Sequence, residues 1–170
     1  MDAYEKVRSK NGLKNAERNV NGKIFEFILS TLLVRENIYP VFLSAKVAFV
    51  PNINYDIMLY SEERGPICLS AKTSFRERYK QADLEAIALK YVHRKSLSYL
   101  VTLSERDAKD VTAKIKKGDV IGLDEVIYAR ATDIDNLIQN LKKFKFSDAP
   151  TKKVIESNQI ITAEKINAVK

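Results

Sequence analysis

The sequence contains few of the residues that cross-link or interrupt a chain. It has one cysteine, Cys68, in 170 residues, which excludes an internal disulfide and a multi-cysteine zinc site and fits a reducing compartment. It has only five glycines and four prolines, and no internal period, which excludes collagen-like, low-complexity and repeat proteins. The composition is therefore that of an ordinary globular protein.

Long apolar runs are also absent. The apolar stretches, such as residues 27–29 and 32–34, are far shorter than the roughly 18 residues needed to span a bilayer. The first residues lack the basic-then-apolar order of a signal peptide. We therefore expect no membrane partner and a cytoplasmic location.

Positive charge is in excess. Twenty-nine lysines and arginines against 22 acidic residues give a net charge of +7 and an isoelectric point near 9.4. Such a balance favours a polyanionic partner, and nucleic acid above all. The length suits one hydrophobic core, so we expect a single domain over residues 1–170, with a core at about 20–144 and a C-terminal arm at 145–170.

Hydrophobic spacing predicts an α/β protein with a mixed sheet. Apolar residues at helical spacing predict four helices, over residues 21–36, 75–95, 104–117 and 132–144. Runs rich in β-branched and aromatic residues predict five strands, over residues 41–50, 53–61, 66–73, 98–103 and 125–129. Residues 3–18 could form a further helix.

The third predicted strand carries a lysine among apolar residues. Side chains alternate along a strand, so Cys68, Ser70 and Lys72 share one face. A partly buried lysine needs an anionic partner, and the neighbouring predicted strand offers Asp56. The two side chains should meet at the edge of the sheet, where a divalent cation and a phosphate could be held. A purely structural Asp–Lys pair is the alternative.

The first predicted helix carries a carboxylate, Glu26, on a face that is not plainly solvated. Gly22 lies one turn before it, and Leu29 lies one turn after it. A carboxylate in that position needs a cation, unless it is simply exposed. Gly22 could allow the helix to approach another backbone closely.

Over residues 20–103 the sequence resembles the PD-(D/E)XK nuclease superfamily, which includes many type II restriction endonucleases, some homing endonucleases and the Holliday-junction resolvases. The resemblance rests on the order of elements and on these residues: Glu26, Asp56, Ser70-Ala71-Lys72 and the basic segment 72–83. It implies an αβββαβ restriction-endonuclease-like core, with a mixed central sheet flanked by helices.

One position departs from the family pattern. Ser70 stands two residues before the lysine, where the family normally has Asp or Glu, and a serine is a poor magnesium ligand. Either the chain is an inactive relative or the second carboxylate comes from elsewhere. Glu85, on the following helix, shares a stripe with Gln81, whereas Asp83 points away from that stripe. Glu26 could supply the charge instead, or both glutamates could contribute, which would make a three-acid arrangement with Asp56.

The resemblance implies metal-assisted hydrolysis of a phosphodiester. Asp56, with Glu26 or Glu85 and the carbonyl of Ala71, would hold Mg²⁺, for which Mn²⁺ could substitute. Lys72 would orient the attacking water and stabilise the charge on phosphorus. Ser70 would hydrogen-bond a metal-bound water, and Gln81 would line the same pocket.

The resemblance also implies a DNA surface and an oligomer. Basic residues on or just after the second predicted helix would contact phosphates beside the scissile bond: Arg76, Arg78, Lys80, Lys90, Arg94 and Lys95. Cutting both strands of a duplex needs two sites, which favours a homodimer, or a tetramer. We expect a sequence-specific, magnesium-dependent endonuclease of restriction type that acts on double-stranded DNA. A homing endonuclease, a resolvase or repair nuclease, and a non-catalytic DNA-binding relative are the alternatives.

Overall fold

A computed structural model describes residues 18–50, 52–75, 77–147 and 154–168. The helix predicted for residues 3–18 lies outside the described residues except at its last position, and Arg76 lies outside them too. No helix in the described ranges has both the length and the apolar character needed to cross a membrane.

Residues 18–144 contain helices and strands in the order that the sequence predicts. The helices are α1 (Arg18–Arg35), α2 (Arg78–Val92), α3 (Glu105–Lys117), α4 (Thr132–Leu141) and the short α5 (Ala163–Asn167). The strands are β1 (Val41–Val47), β2 (Tyr55–Ser61), β3 (Gly65–Lys72), β4 (Leu97–Thr102), β5 (Glu125–Tyr128), β6 (Ile155–Glu156) and β7 (Gln159–Ile161). The predicted α/β class is confirmed, and most element bounds shift by only a few residues.

The strands form one mixed sheet in the order β5-β4-β3-β2-β1-β6, with β7 also paired to β1. β1, β2 and β3 are antiparallel, whereas β3, β4 and β5 are parallel. A parallel pair needs a crossover connection, and α2 supplies it between β3 and β4. The C-terminal ends of β3, β4 and β5 therefore lie together at one edge of the sheet.

Each face of the sheet is covered by two helices. One apolar cluster joins α1 and α4 to the face that carries Ile57, Leu69 and Ala71. Two others join α2 and α3 to the opposite face, which carries Met58 and Cys68. Burying both faces this way removes the apolar side chains of the strands from water. It also places Lys72, which alternates with Ala71, on the α2 face.

The segment expected to be an arm also contributes to the sheet. β6 and β7 both pair antiparallel with the outer edge of β1, through Lys46↔Glu156 and Phe42↔Ile160 among other pairs. They cover an edge that would otherwise present unpaired backbone groups. With two and three residues, these strands are too short to show a period of two in the sequence.

The glycine that allows a close backbone approach is Gly122, and the expectation for Gly22 is wrong. A Cβ atom at Gly22 would meet no described atom within 4 Å. One at Gly122 would lie 2.4 Å from the backbone oxygen of Asp83 on α2. The Asp83 carboxylate also accepts hydrogen bonds from the backbone N–H groups of Gly122 and Leu123, at 2.6 and 3.2 Å. Asp83 therefore anchors the loop before β5 and faces away from the candidate site.

Candidate active site

The site lies where β2 and β3 separate. The two strands pair from Ser61↔Gly65 to Ile57↔Leu69, and β3 then continues to Lys72 alongside β4 alone. A gap therefore opens between β2 and β3 toward the C-terminal end of β3. Asp56, the neighbour of Ile57 on β2, lies at this gap.

A break in the strand alternation turns Asp56 toward the gap. Four residues from two cross-strand pairs of β1 and β2 all pack in the apolar cluster of α2: Phe42, Met58, Ala45 and Tyr55. Residues three apart on a regular strand face opposite sides, so both strands must change phase between these pairs. Ser44 lies between them on β1 and has a positive φ of 48°, as expected where an extended strand is locally distorted. Asp56 occupies the corresponding place on β2.

Asp56 and Lys72 are in direct contact. The Lys72 Nζ donates a hydrogen bond of 2.7 Å to the Asp56 Oδ2, and the backbone N–H of Ala71 donates one of 2.9 Å to the same oxygen. The carboxylate thus replaces the ladder partner that β3 loses where β2 leaves it. The two side chains are about one fifth exposed, at 17% and 21%. The contact expected from the sequence is confirmed.

The backbone carbonyl of Ala71 faces the same gap. The N–H and C=O groups of one residue in an extended strand project toward the same edge, and the N–H of Ala71 points to Asp56. Both described hydrogen bonds to Asp56 use Oδ2, so Oδ1 and the Ala71 carbonyl are the oxygens placed to meet a further group.

Glu85 approaches this pair from α2. Burial raises the pKa of the Glu85 carboxyl, a hydrogen bond from Gln81 and the charge of Lys72 act to lower it, and the charge of Asp56 raises it further. Lys72 and Asp56 are therefore close enough to Glu85 to influence its ionisation. The Gln81 Nε2 donates a 2.7 Å hydrogen bond to the Glu85 Oε1 and so orients the carboxylate. Hydrogen bonds join Lys72 to Asp56 and Gln81 to Glu85, and the charges of Lys72 and Asp56 act on the Glu85 carboxyl.

Glu26 lies on α1, which packs on the face of the sheet opposite to α2. Its carboxylate accepts a 2.7 Å hydrogen bond from Lys23, the cation that its position required. Lys23 also reaches the hydroxyl of Ser44 at 3.5 Å. No described contact links Glu26 to Asp56 or Glu85. Lys23 was not among the predicted site residues, although its spacing of three residues from Glu26 on a helix was the available signal.

Ser70 is buried, with 4% of its surface exposed, and lies on the same face of β3 as Lys72. A hydrogen bond joins its side chain to Cys68, whose thiol pKa is raised mainly by burial. A neutral buried hydroxyl can orient a neighbour but supplies no charge for a cation.

The basic residues predicted to contact DNA do not form one surface. Arg78 and Lys80 are exposed in the first turn of α2, the helix that follows β3. The Lys80 Nζ lies 3.3 Å from the Glu77 Oε2. Lys90 instead binds Asp124 at 2.8 Å, with both side chains partly buried. The prediction that Lys90 faces DNA therefore conflicts with its structural ion pair.

Arg94 and Lys95 are exposed but lie toward the opposite end of β3 from Lys72. α2 leads from the C-terminal end of β3 back to the start of β4, where Leu97 pairs with Ile67. Lys72 lies five positions after Ile67 on β3, which is about 16 Å at the rise of a strand. The expectation that Arg94 and Lys95 lie beside the scissile bond is wrong, because the sequence does not fix which end of a crossover helix faces the site.

The donor set at the gap fits a magnesium ion. In residues 18–50, 52–75, 77–147 and 154–168, no three His, Cys, Asp or Glu side chains form a group that could hold a metal. The site does offer two carboxylates, Asp56 and Glu85, and the carbonyl of Ala71. Magnesium usually takes one or two carboxylates together with waters and substrate phosphates, so this smaller set of hard oxygens is sufficient. The structure does not assemble the three-acid arrangement that includes Glu26.

A solved structure supports the architecture described above. The chain is similar to the restriction endonuclease PspGI, solved in complex with its substrate DNA, with a TM-score of 0.55 and 22% sequence identity. The chain has a restriction-endonuclease-like fold. The match covers 89% of this chain and 63% of that enzyme, so the chain spans less than two thirds of its length. No protein-family model and no curated protein sequence matches the chain.

Proposed function

We propose that the protein is a magnesium-dependent endonuclease of restriction type that hydrolyses phosphodiester bonds in double-stranded DNA. The observation that carries the proposal is the contact between Lys72 and Asp56 in the gap between β2 and β3, with Glu85 facing it from the following helix. The fold shared with a restriction endonuclease supports the same conclusion. A net charge of +7 suits a polyanionic substrate.

Asp56, Glu85 and the carbonyl of Ala71 would hold the cation. Bound there, Mg²⁺ would polarise the scissile phosphate and lower the pKa of a water molecule. Gln81 donates a hydrogen bond to Oε1 of Glu85, so Oε2 would remain to bind the cation. Glu85 is a better candidate for the second acid than Glu26, because α2 packs on the face of the sheet that carries Lys72 and the charge of Lys72 acts to lower the pKa of Glu85. Glu26 is instead paired with Lys23.

Lys72 acts on the phosphate. Its ammonium group lies at the end of β3, held by a carboxylate that binds it through a single oxygen. From there it would orient the attacking water and stabilise the charge that develops on the phosphate oxygens. Ser70 lies two residues before Lys72 on the same face of β3. As a neutral group, it would hydrogen-bond a metal-bound water.

The DNA would lie across the edge of the sheet where β3, β4 and β5 end. Arg78 and Lys80 begin the helix that follows β3, so they are the predicted residues best placed for phosphate contacts near Lys72. A homodimer would supply the second site that a duplex cut requires, and symmetry is the simplest way to provide it.

A survey of DNA substrates in Mg²⁺ tests this function. Linear phage DNA should give discrete bands with the wild-type protein, whereas Lys72→Ala and Asp56→Asn should bind DNA without cutting it. Lys109→Ala is the matched control, because Lys109 pairs with Glu105 on the exposed surface of α3. Cutting of four-way junctions alone would indicate a resolvase. Binding without any cutting would indicate a non-catalytic relative, the alternative that Ser70 favours.

A further inference from the structure

A buried tyrosine links the two elements that carry the candidate carboxylates. Tyr55 precedes Asp56 on β2, and its hydroxyl donates a 3.1 Å hydrogen bond to the backbone oxygen of Glu85 on α2. The side chain is 1% exposed and is among the largest that the fold buries completely. One residue therefore connects the backbone on either side of the site.

The phase change in β1 and β2 makes this link possible. Tyr55 and Asp56 are neighbours, so on a strand their side chains face opposite sides. At the distortion beside Ser44, Tyr55 joins the cluster under α2 while Asp56 turns into the gap. Because the Tyr55 side chain is rigid, its length sets the distance between α2 and the strand backbone that carries Asp56.

The hydroxyl can only donate in this setting. Its partner is the backbone oxygen of Glu85, and a carbonyl oxygen can only accept, so the phenol supplies the proton of this bond. The carbonyl of Glu85 lies inside α2, where it also accepts the helical hydrogen bond from residue 89. A carbonyl oxygen has two lone pairs, so it accepts both donors without loss of the helix.

The other anchors of α2 act elsewhere on the helix. Asp83 ties it to the loop at Gly122, toward α3 and β5. Buried Ala82, Ala86 and Leu89 pack it against the sheet through apolar contacts, which are not directional. Among the described hydrogen bonds, the one from the Tyr55 hydroxyl to Glu85 joins β2 to α2.

We propose that Tyr55 is a positioning residue, which sets the separation between the carboxylates of Asp56 and Glu85 and thereby the affinity of the pair for a divalent cation. The inference rests on the proposed function, since it assigns those two carboxylates to one cation. Partners that orient metal ligands typically change metal affinity or activity by 10- to 100-fold when they are removed.

The test compares Tyr55→Phe with Tyr99→Phe. Both substitutions remove one hydroxyl from a buried tyrosine, and Tyr99 lies on β4, on the face of the sheet away from α2. Three quantities are measured for each variant and the wild type: Mn²⁺ affinity by isothermal titration calorimetry, hydrogen exchange of the α2 amides, and the Mg²⁺ concentration that gives half-maximal DNA cleavage.

The proposal predicts that Tyr55→Phe weakens Mn²⁺ binding by about 10-fold or more and raises the half-maximal Mg²⁺ concentration in proportion. Amides around Glu85 should exchange faster, and the Kd for DNA in EDTA should not change. Tyr99→Phe should match the wild type in metal affinity. A purely structural role for Tyr55 would lower the melting temperature of the variant and leave the Mn²⁺ affinity unaltered.

Metal affinity of Tyr55→Phe within about twofold of the wild-type value would overturn the inference. A wild-type protein that binds Mn²⁺ but cuts no DNA would overturn the nuclease proposal alone, and the Tyr55 comparison would then be decided by calorimetry. A wild-type protein that binds no Mn²⁺, alone or with DNA, would overturn both.

Discussion

The Lys72 Nζ and the Asp56 Oδ2 lie 2.7 Å apart across the gap where β3 parts from β2. The same carboxylate oxygen accepts the N–H of Ala71, so the ion pair is built into the strand geometry. A surface ion pair of this length would contribute little to stability. Here it fixes an ammonium group and a carboxylate at one edge of the sheet, beside Glu85.

Replacement of Asp56 by Asn should abolish cleavage and preserve the fold. The amide oxygen can still accept the N–H of Ala71, but it carries no charge for a cation or for Lys72. We expect a rate of DNA cleavage lower by about 100-fold or more, as for the loss of one electrostatic partner in an active site. Quenched-flow cleavage and filter binding in EDTA separate the rate from DNA affinity. Asp110→Asn, in an exposed pair with Lys114, is the control.

Glu85→Gln should lose activity and gain stability at neutral pH. Burial raises the pKa of Glu85 above its ordinary value of 4.5, so the folded protein binds this proton more tightly than the unfolded chain does. The resulting stabilisation is complete below the unfolded pKa and is lost as pH rises through the folded pKa. At pH 7 the ionised Glu85 therefore costs stability, and the neutral glutamine removes that cost.

Denaturant unfolding in EDTA at several pH values measures this effect. The free energy of unfolding of Glu85→Gln should exceed that of the wild type at pH 7, and the difference should shrink toward pH 4.5. Glu26→Gln should show no such gain and should retain cleavage. Cleavage that survives in Glu85→Gln but is lost in Glu26→Gln would reverse the assignment of the second acid.

Salt dependence of DNA binding should distinguish the two ends of α2. Each phosphate contact contributes about −0.9 to the slope of log K against log salt on duplex DNA. The double variant Arg78→Ala/Lys80→Ala should lower the steepness of that slope by about two, and Arg94→Ala/Lys95→Ala should leave it unchanged. Equal effects of both pairs would mean that DNA contacts α2 along its whole length.

The two glycines should respond oppositely to alanine. At Gly122 a Cβ would clash with the backbone of Asp83, so Gly122→Ala should lower the free energy of unfolding by about 1–3 kcal/mol. At Gly22, inside α1, a Cβ meets open space, and Gly22→Ala should raise it by about 0.5–1 kcal/mol. Urea denaturation measures both, and a stabilising Gly122→Ala would contradict the described approach of that loop to α2.

Local pattern predicts the centre of this site well. Alternation places Lys72 among apolar neighbours and Asp56 on the next strand, and helical spacing puts Glu85 in line with Gln81. These inferences use the period of each element, whereas the break beside Ser44 that turns Asp56 into the gap is not predicted by any period. They hold because neighbouring strands in a meander pair with each other.

Features that depend on long-range geometry were not predicted. The hydroxyl of Tyr55 reaches a residue 30 positions away, and no local pattern signals that contact. Arg94 and Lys95 were misplaced because sequence spacing does not say where along the sheet a crossover helix ends. Glu26 was placed at the site because its need for a cation was read without its nearer partner, Lys23.

Single-turnover cleavage by Lys72→Ala tests the central claim most directly. With DNA saturated by protein in Mg²⁺, we expect this variant to cleave about 100-fold more slowly than the wild type, or not at all, with an unchanged Kd for DNA. Lys109→Ala should cleave at the wild-type rate. Wild-type cleavage by Lys72→Ala would contradict the assignment of Lys72 and the proposed site with it.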